Sequence, residues 1–420
     1  MSVSPNPSPA AKPPLLTAAQ ALEHLLKNPV PVTETEIVST QDALGRVLAE
    51  DLLSKVDVPP LDNTSMDGYA VATQDIKTSG VILKVDQRIP AGSVGHALKP
   101  NTIARIFTGA PIPAGSDAVV MQEDCVVQER KDFVQVNAVP SPGQWIRRRG
   151  EDLSVGKLAL SAGTFLRPQQ LGVAASAGYA QLKVKRKVKV AAFFTGDELS
   201  LPGEPLKPGG IYNSNRDTLL GLVRSLGCEA TDYGIVPDRL EATREALRTA
   251  SLEHDLIITS GGVSVGEEDH IKPAVSAEGR LDLWQIGIKP GKPLAFGAVR
   301  RADNPSKEAW FIGMPGNPVS SFVTFILFVR PFILKLQGRS DLMPPSFMVR
   351  ADFDWLKPDR RNEFLRVRMN HQGGLDLFPN QSSGVLTSAA WGDGLLDCPA
   401  GQGFKKGDMV RYIPFSGLLS

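Results

Sequence analysis

The chain has 420 residues, 42% hydrophobic and 22% charged, with a formal net charge of +1. That length exceeds one hydrophobic core and implies about three or four domains, and the near-zero charge excludes a global field drawing in nucleic acid or an anionic membrane. Three scattered cysteines without C-x-x-C spacing exclude a disulfide framework and fit a reducing cytoplasm, while five histidines show no paired zinc-ligand spacing.

Residues 1–14 are rich in Ser, Pro and Ala and read as a disordered tail, not a signal peptide. Residues 15–53 and 149–186 read as one discontinuous linking domain. Thr17 caps a helix with Ala18, Leu22, Leu25 and Leu26 on one face, and a second helix is expected from Thr40 through Leu48. Residues 54–148 carry short strand-like runs split by Gly/Pro turns, which predicts a β-rich insertion. Residues 187–341 alternate apolar strands with amphipathic helices, the pattern of a doubly wound, mostly parallel sheet. Expected strands there include 188–194, 228–236, 254–259, 281–288, 294–299 and 310–313. The greasiest run, Val319 to Leu334, contains Arg330 and Pro331 and is shorter than the roughly 20 residues of a membrane span. It predicts a buried helix. Residues 342–420 show short strands and no helical signal, as in a small β-barrel or sandwich.

Five loops follow strands of the doubly wound region, where ligands bind beyond the carboxyl ends of strands. They are Thr195-Gly196-Asp197-Glu198, Pro237-Asp238, the glycine loop Ser260-Gly261-Gly262-Val263-Ser264 running to Asp269, Lys289-Pro290-Gly291-Lys292-Pro293, and Pro315-Gly316-Asn317-Pro318 with Ser320. Each also fits a plainer role: a turn, a helix cap at Asp238 or Asn317, a solvated lysine pair. Taken together, glycine-loop amides, two lysines and a helix start suit an oxyanion. Glu198, Asp238 and Asp269 suit a hard divalent cation, Mg²⁺. An anion site beside a carboxylate–metal site is what phosphoanhydride chemistry requires. Two further clusters lie earlier, DNTSMDGYA at 62–70 and IRRRGED at 146–152, with a TGAP turn at 108–111.

These motifs, with FTGDEL at 194–199, GGVSVGEED at 261–269, KPGKP at 289–293 and PGNPVS at 315–320, resemble the MoeA family, which includes the gephyrin E domain. The resemblance implies a multidomain fold with a MogA-like doubly wound domain, a β-rich insertion, a small linking domain and a C-terminal β-barrel. It implies an enzyme that takes molybdate and adenylated molybdopterin, with Mg²⁺, and yields molybdenum cofactor and AMP. It implies a homodimer in which Asp67, Thr108, Arg147 and Asp152 approach the cleft of the other subunit. By matching position, Asp67, Thr108, Asp152, Glu198, Asp238 and Asp269 fall to catalysis, the last three also to the metal. Arg147, Ser260, Gly261, Gly262, Ser264, Lys289, Lys292, Pro315, Pro318, Ser320, Arg366 and Ser383 fall to substrate binding, with Arg361 and Ser382 as the alternatives to the last two. A separate adenylyltransferase is expected to deliver substrate, and molybdoenzymes or carriers to accept product. The alternative is a non-catalytic scaffold or pterin carrier on the same fold. Some relatives carry lysine where this chain has Gln285.

Overall fold

The computed structural model describes residues 15–263, 270–291, 293–304 and 306–418. The expected tail, Ser264, Asp269 and Lys292 lie outside the described residues. Two compact units divide the chain: one spans Ile37–Leu44 and Leu48–Val184, the other the described residues before Ile37, Gly45–Val47 and Lys185 onward.

In the first unit a six-stranded sheet has the order 118–121, 68–71, 102–106, 81–89, 133–136, 125–127. Tyr69, Val71, Ile103, Val120 and Val134 fill one of its faces, while Ala70, Ala104, Ile106 and Val119 fill the other. The period-two alternation of apolar residues in these short runs is therefore burial on both sides. The helix expected from Thr40 is only one 3₁₀ turn, Gln41–Ala43. Gly45, at φ +73°, ends it, because a left-handed residue reverses the chain.

In the second unit the sheet comprises β1 (Lys189–Thr195), β2 (Glu229–Val236), β3 (Leu256–Ser260), β4 (Gly279–Gln285), β5 (Pro293–Arg300) and β6 (Glu308–Met314). Its order is β2-β1-β3-β6-β5-β4. β1 pairs in parallel with β2 and β3, and β3 with β6; β5 and β4 add antiparallel. The apolar run of β1 serves two cores. Val190, Ala192 and Phe194 face helices Ser214–Ser225 and Pro318–Leu336, while Ala191 and Phe193 face helices Leu240–Glu253 and Ile271–Glu278. The strand order reverses beside β1, since β2 and β3 lie on its opposite sides, so the crevice between the ends of β1 and β3 is the topological switch point.

The strand expected over 281–288 divides. β4 stops at Gln285, and Ile288–Lys289 leaves the sheet to pair in parallel with Asn362–Glu363. Gly287 N donates to Leu16 O instead of continuing the β4 ladder, and Pro290 and Pro293 offer no donor.

Strands 347–351, 362–369, 374–377, 394–398 and 409–414 close into a barrel through the pairing of 362–369 with 394–398. A five-residue helix, Thr387–Trp391, was not expected there; little more than one turn leaves too short a periodic trace to read.

Pro318–Leu336 is long and apolar enough to cross a membrane, but 89% of it is buried in the core. Its centre, Phe325–Val329, widens into a π-helical turn immediately before Arg330-Pro331, where the missing proline N–H breaks the regular ladder. Arg330 is buried and donates to the carbonyls of Leu342, Gly417 and Leu418, which accounts for a charge inside an apolar helix.

Candidate active site

All five loops meet at the carboxyl edge of the β1–β3–β6 sheet. They line one cavity of about 630 Å³ that includes Thr195, Glu198, Asp238, Gly261, Gly262, Lys289, Pro315, Asn317 and Ser320, with Arg361, Ser382 and Ser383 from the barrel side. An adjoining cavity of about 340 Å³ shares Glu198 and Gly261 and reaches Tyr212, Asn215, Ser260 and Pro318.

The glycines of this edge are required by close approach. A Cβ on Gly261 (φ +98°) would stand 2.6 Å from Thr195 O, and one on Gly262 (φ +64°) 2.6 Å from Ile271 Cγ1 and 3.0 Å from Thr195 Oγ1. A Cβ on Gly196 would lie 2.6 Å from Glu198 Oε2. The β1 and β3 loops can therefore touch, and the Glu198 carboxylate can fold over its own turn, only because these positions carry no side chain. Thr195 Oγ1 is buried without a hydrogen-bond partner among the described residues. An orphan hydroxyl in a cavity that Glu198 and Asp238 also line fits an occupant carrying polar atoms.

Ser260 is placed differently from its expected role as a ligand donor. Its hydroxyl is buried, donating to Pro315 O at 2.9 Å and lying 2.9 Å from Ser321 Oγ. Asn215 Nδ2 donates to Ser260 Oγ at 2.8 Å and to Gly316 O at 2.7 Å. These bonds join the glycine loop to the PGNP loop and fix the cavity floor. Asn215 went unnoticed in the sequence because a polar residue in a helix's first turn is ordinary; no local signal marks its reach to another strand. Asn317 occupies the N-cap of its helix, yet its side chain makes no capping bond and lines the cavity. Asp238 likewise is no cap, since Arg239 holds that position.

In the barrel, Arg366 is 1% exposed and does not line the cavity. It donates to Ser388 Oγ, Phe364 O and Ser382 O, and burial pushes its guanidinium down to about 10. Arg366 thus reaches the site indirectly, holding the Ser382 carbonyl with its side chain and the Gln381 side chain with its main chain, and Arg361 supplies the cation in the wall. The reason is strand alternation: Leu365 and Val367 fill the barrel core, so position 366 turns to the opposite face, with Phe364 and against Ser388. Arg361 forks onto Asp359 at 3.0 and 2.9 Å, and Lys289 Nζ lies 3.0 Å from Glu363 Oε1 and 3.4 Å from Asp359.

In the other unit, Thr108 donates both N–H and Oγ1–H to Asp67 Oδ1 at 2.7 Å, which holds that half-buried carboxyl below the usual range. Of the three consecutive arginines, Arg148 is bound to Asp62 and Arg149 to Asp57. Arg147, on the two-residue strand beside Asn63, is exposed with no carboxylate partner among the described residues. Asp152 is exposed as well.

A doubly wound domain with a polar switch-point cavity, joined to a closed five-stranded barrel, defines a ligand-binding α/β protein with appended β modules. Family models match the MoeA N-terminal region (domain I and II) at residues 16–178, a probable molybdopterin binding domain at 191–335 and the MoeA C-terminal region (domain IV) at 348–415. A molybdopterin molybdenumtransferase of Haemophilus influenzae is 42% identical over 86% of this chain and 89% of its own length. Molybdopterin molybdenumtransferase 2 of Mycobacterium tuberculosis is 36% identical over 86% and 90%. The crystal structure of a MoeA protein from Pyrococcus horikoshii superposes with a TM-score of 0.82 at 30% identity, covering 96% of this chain and all of that one. The chain belongs to the MoeA family of molybdopterin molybdenumtransferases.

Proposed function

We propose that this chain is a molybdopterin molybdenumtransferase of molybdenum cofactor biosynthesis. It takes molybdate and adenylated molybdopterin as substrates and releases AMP. The observation that carries the reading is the convergence of Glu198, Asp238, Lys289, Arg361 and the two glycine-bearing loops on one cavity. Lys289 and Arg361 supply positive charge for the oxyanion. Backbone at Gly261–Gly262 approaches close enough to cradle phosphate. Glu198 and Asp238, with Asp269 outside the described residues, are hard oxygen donors beside an orphan hydroxyl, and this donor set fits Mg²⁺. Bound there, the ion would draw charge from phosphate oxygens. Asn215, Ser260 and Ser321 keep the floor rigid, so that the reacting groups meet in fixed geometry.

The proposal includes a homodimer, through whose second copy Asp67, Thr108, Arg147 and Asp152 contribute. It also includes Ser264, Lys292, Pro315, Pro318, Ser320 and Ser383 as substrate contacts, and a cytoplasmic setting in which a separate adenylyltransferase supplies substrate. All the described motif carboxylates are present, so the scaffold reading has no loss of chemistry to support it. The test is AMP release from adenylated molybdopterin by the purified chain with Mg²⁺, with and without molybdate. Release that ignores molybdate would defeat the proposal.

A further inference from the structure

Behind the wall that carries Lys289 and Arg361 stand two carboxylates that no motif singled out. Glu363 is 1% exposed, on strand 362–369, and the fold makes Lys289 its register partner across the parallel pair. Its Oε2 accepts from Trp355 Nε1 and from Asp359 N, each at 2.8 Å. Its Oε1 faces the Lys289 ammonium at 3.0 Å as an ion pair. Asp359 holds the Arg361 fork and bridges to the same ammonium. A buried carboxylate is costly without its counter-charge, so Glu363 ties Lys289, and with it the loop Lys289–Gly291, to the barrel.

We propose that Glu363, supported by Asp359, is a positioning residue that gathers Lys289 and Arg361 into one binding pair for a tetrahedral dianion. This rests on the function proposed above. Without these carboxylates the two cations would repel each other and turn to solvent. A simple field argument predicts the opposite outcome: removing negative charge behind the cations would tighten dianion binding. The two accounts therefore differ in sign. They differ in pH dependence too. Burial works against the Lys289 charge, and Glu363 followed by Asp359 outweigh it, leaving the ammonium above its ordinary range. With Glu363 neutral, burial gains ground and the ammonium loses its proton at lower pH.

The test is calorimetric titration of molybdate into the full chain as wild type, Glu363→Gln, Glu363→Asp and Asp359→Asn, repeated from neutral to alkaline pH. Glu363→Gln is expected to weaken binding about tenfold or more, on the scale of lost supporting contacts at a ligand site, and to move the alkaline loss of binding to lower pH. Glu363→Asp keeps the charge and retains most affinity, with the wild-type pH limb; Asp359→Asn weakens binding to a smaller degree. Equal or tighter binding by Glu363→Gln, an unmoved limb, a Glu363→Asp variant as poor as Glu363→Gln, or no measurable molybdate binding by wild type overturns the proposal. Should Glu363→Gln unfold in a thermal scan, Asp359→Asn decides: lost affinity supports the assignment and unchanged affinity ends it. Molybdate-dependent AMP release by wild type with unaltered variant affinities would remove Glu363 alone; molybdate binding without AMP release would remove the proposed activity instead.

Discussion

Replacing Gly261 with alanine tests whether the β1 and β3 loops must touch. Two costs combine at this position. The backbone sits at φ +98°, where an L side chain costs about 1–3 kcal/mol. The added Cβ would also stand 2.6 Å from Thr195 O, a main-chain atom at the end of a buried strand that cannot swing aside. Such overpacking adds about 1–3 kcal/mol, so the total is roughly 2–6 kcal/mol. Gly203 isolates the first cost, since its φ is +94° and a Cβ there meets nothing within 4 Å. Gly203→Ala should lower the thermal midpoint by roughly 2–12 °C and leave AMP release unchanged. Gly261→Ala should lower it roughly two to three times as far, at about 2–4 °C per kcal/mol for a domain of this size. It should also cut kcat/KM about 100-fold, because a displacement near 1 Å in a positioned site costs on that order. Differential scanning calorimetry and steady-state AMP release read both effects. Equal midpoints and equal turnover for the two variants would refute the claim that close approach, and not turn conformation, requires glycine at 261.

Glu198→Gln or Asp238→Asn should lower Mg²⁺-dependent AMP release far more than molybdate affinity, since both are acidic liners of the cavity and a carboxylate holds a hard cation, not an oxyanion; equal losses in the two measurements would remove them from metal handling. The barrel should lose stability in acid between about pH 4 and pH 2. The Arg350 fork, then Asn370, hold Asp352 down to about 2, so its contribution is present above the unfolded carboxyl range and disappears as pH falls through the folded value. Asp352→Asn should flatten that limb in an acid-unfolding titration, and an unchanged limb would assign it elsewhere. Thiol titration at pH 8 should find no rapidly reacting cysteine in the native chain and three after unfolding: burial pushes Cys125 and Cys228 up to about 12 and Cys398 up to about 11.

The doubly wound domain was readable because its signals are long and mutually consistent. A seven-residue apolar strand at 189–195 and helices ended by Gly227 and His254 leave few alternative folds. The shared cavity was readable because loops after parallel strands must emerge on one edge. Boundaries set by distant partners were not. Nothing local says that 281–288 breaks at Gln285, because the break is made by Leu16 on one side and Asn362 on the other. The one-turn end of the helix at Ala43 could have been found, since Gly45 stands two residues on. Thr17, with Gln20 closing a capping box, behaved as its spacing required.

The charges sort by partner more than by motif. Arg148 and Arg149 share a run with Arg147, yet each is bound to an aspartate and serves its turn, leaving Arg147 as the one of the three without a carboxylate partner among the described residues. Arg366 and Arg361 lie five residues apart, yet the strand buries one against carbonyls while the loop before it, through Asp359, holds the other in the cavity wall. Lysine 289 is different again: it faces the cavity and is ion-paired at once. A cation held by a buried acid keeps its place when the ligand departs, whereas an unpaired one must be ordered at each binding event, at a cost of about 0.5–1.5 kcal/mol per long side chain. The acid that lowers the net charge of the wall can therefore raise its affinity, provided that the order it imposes is worth more than the attraction it cancels.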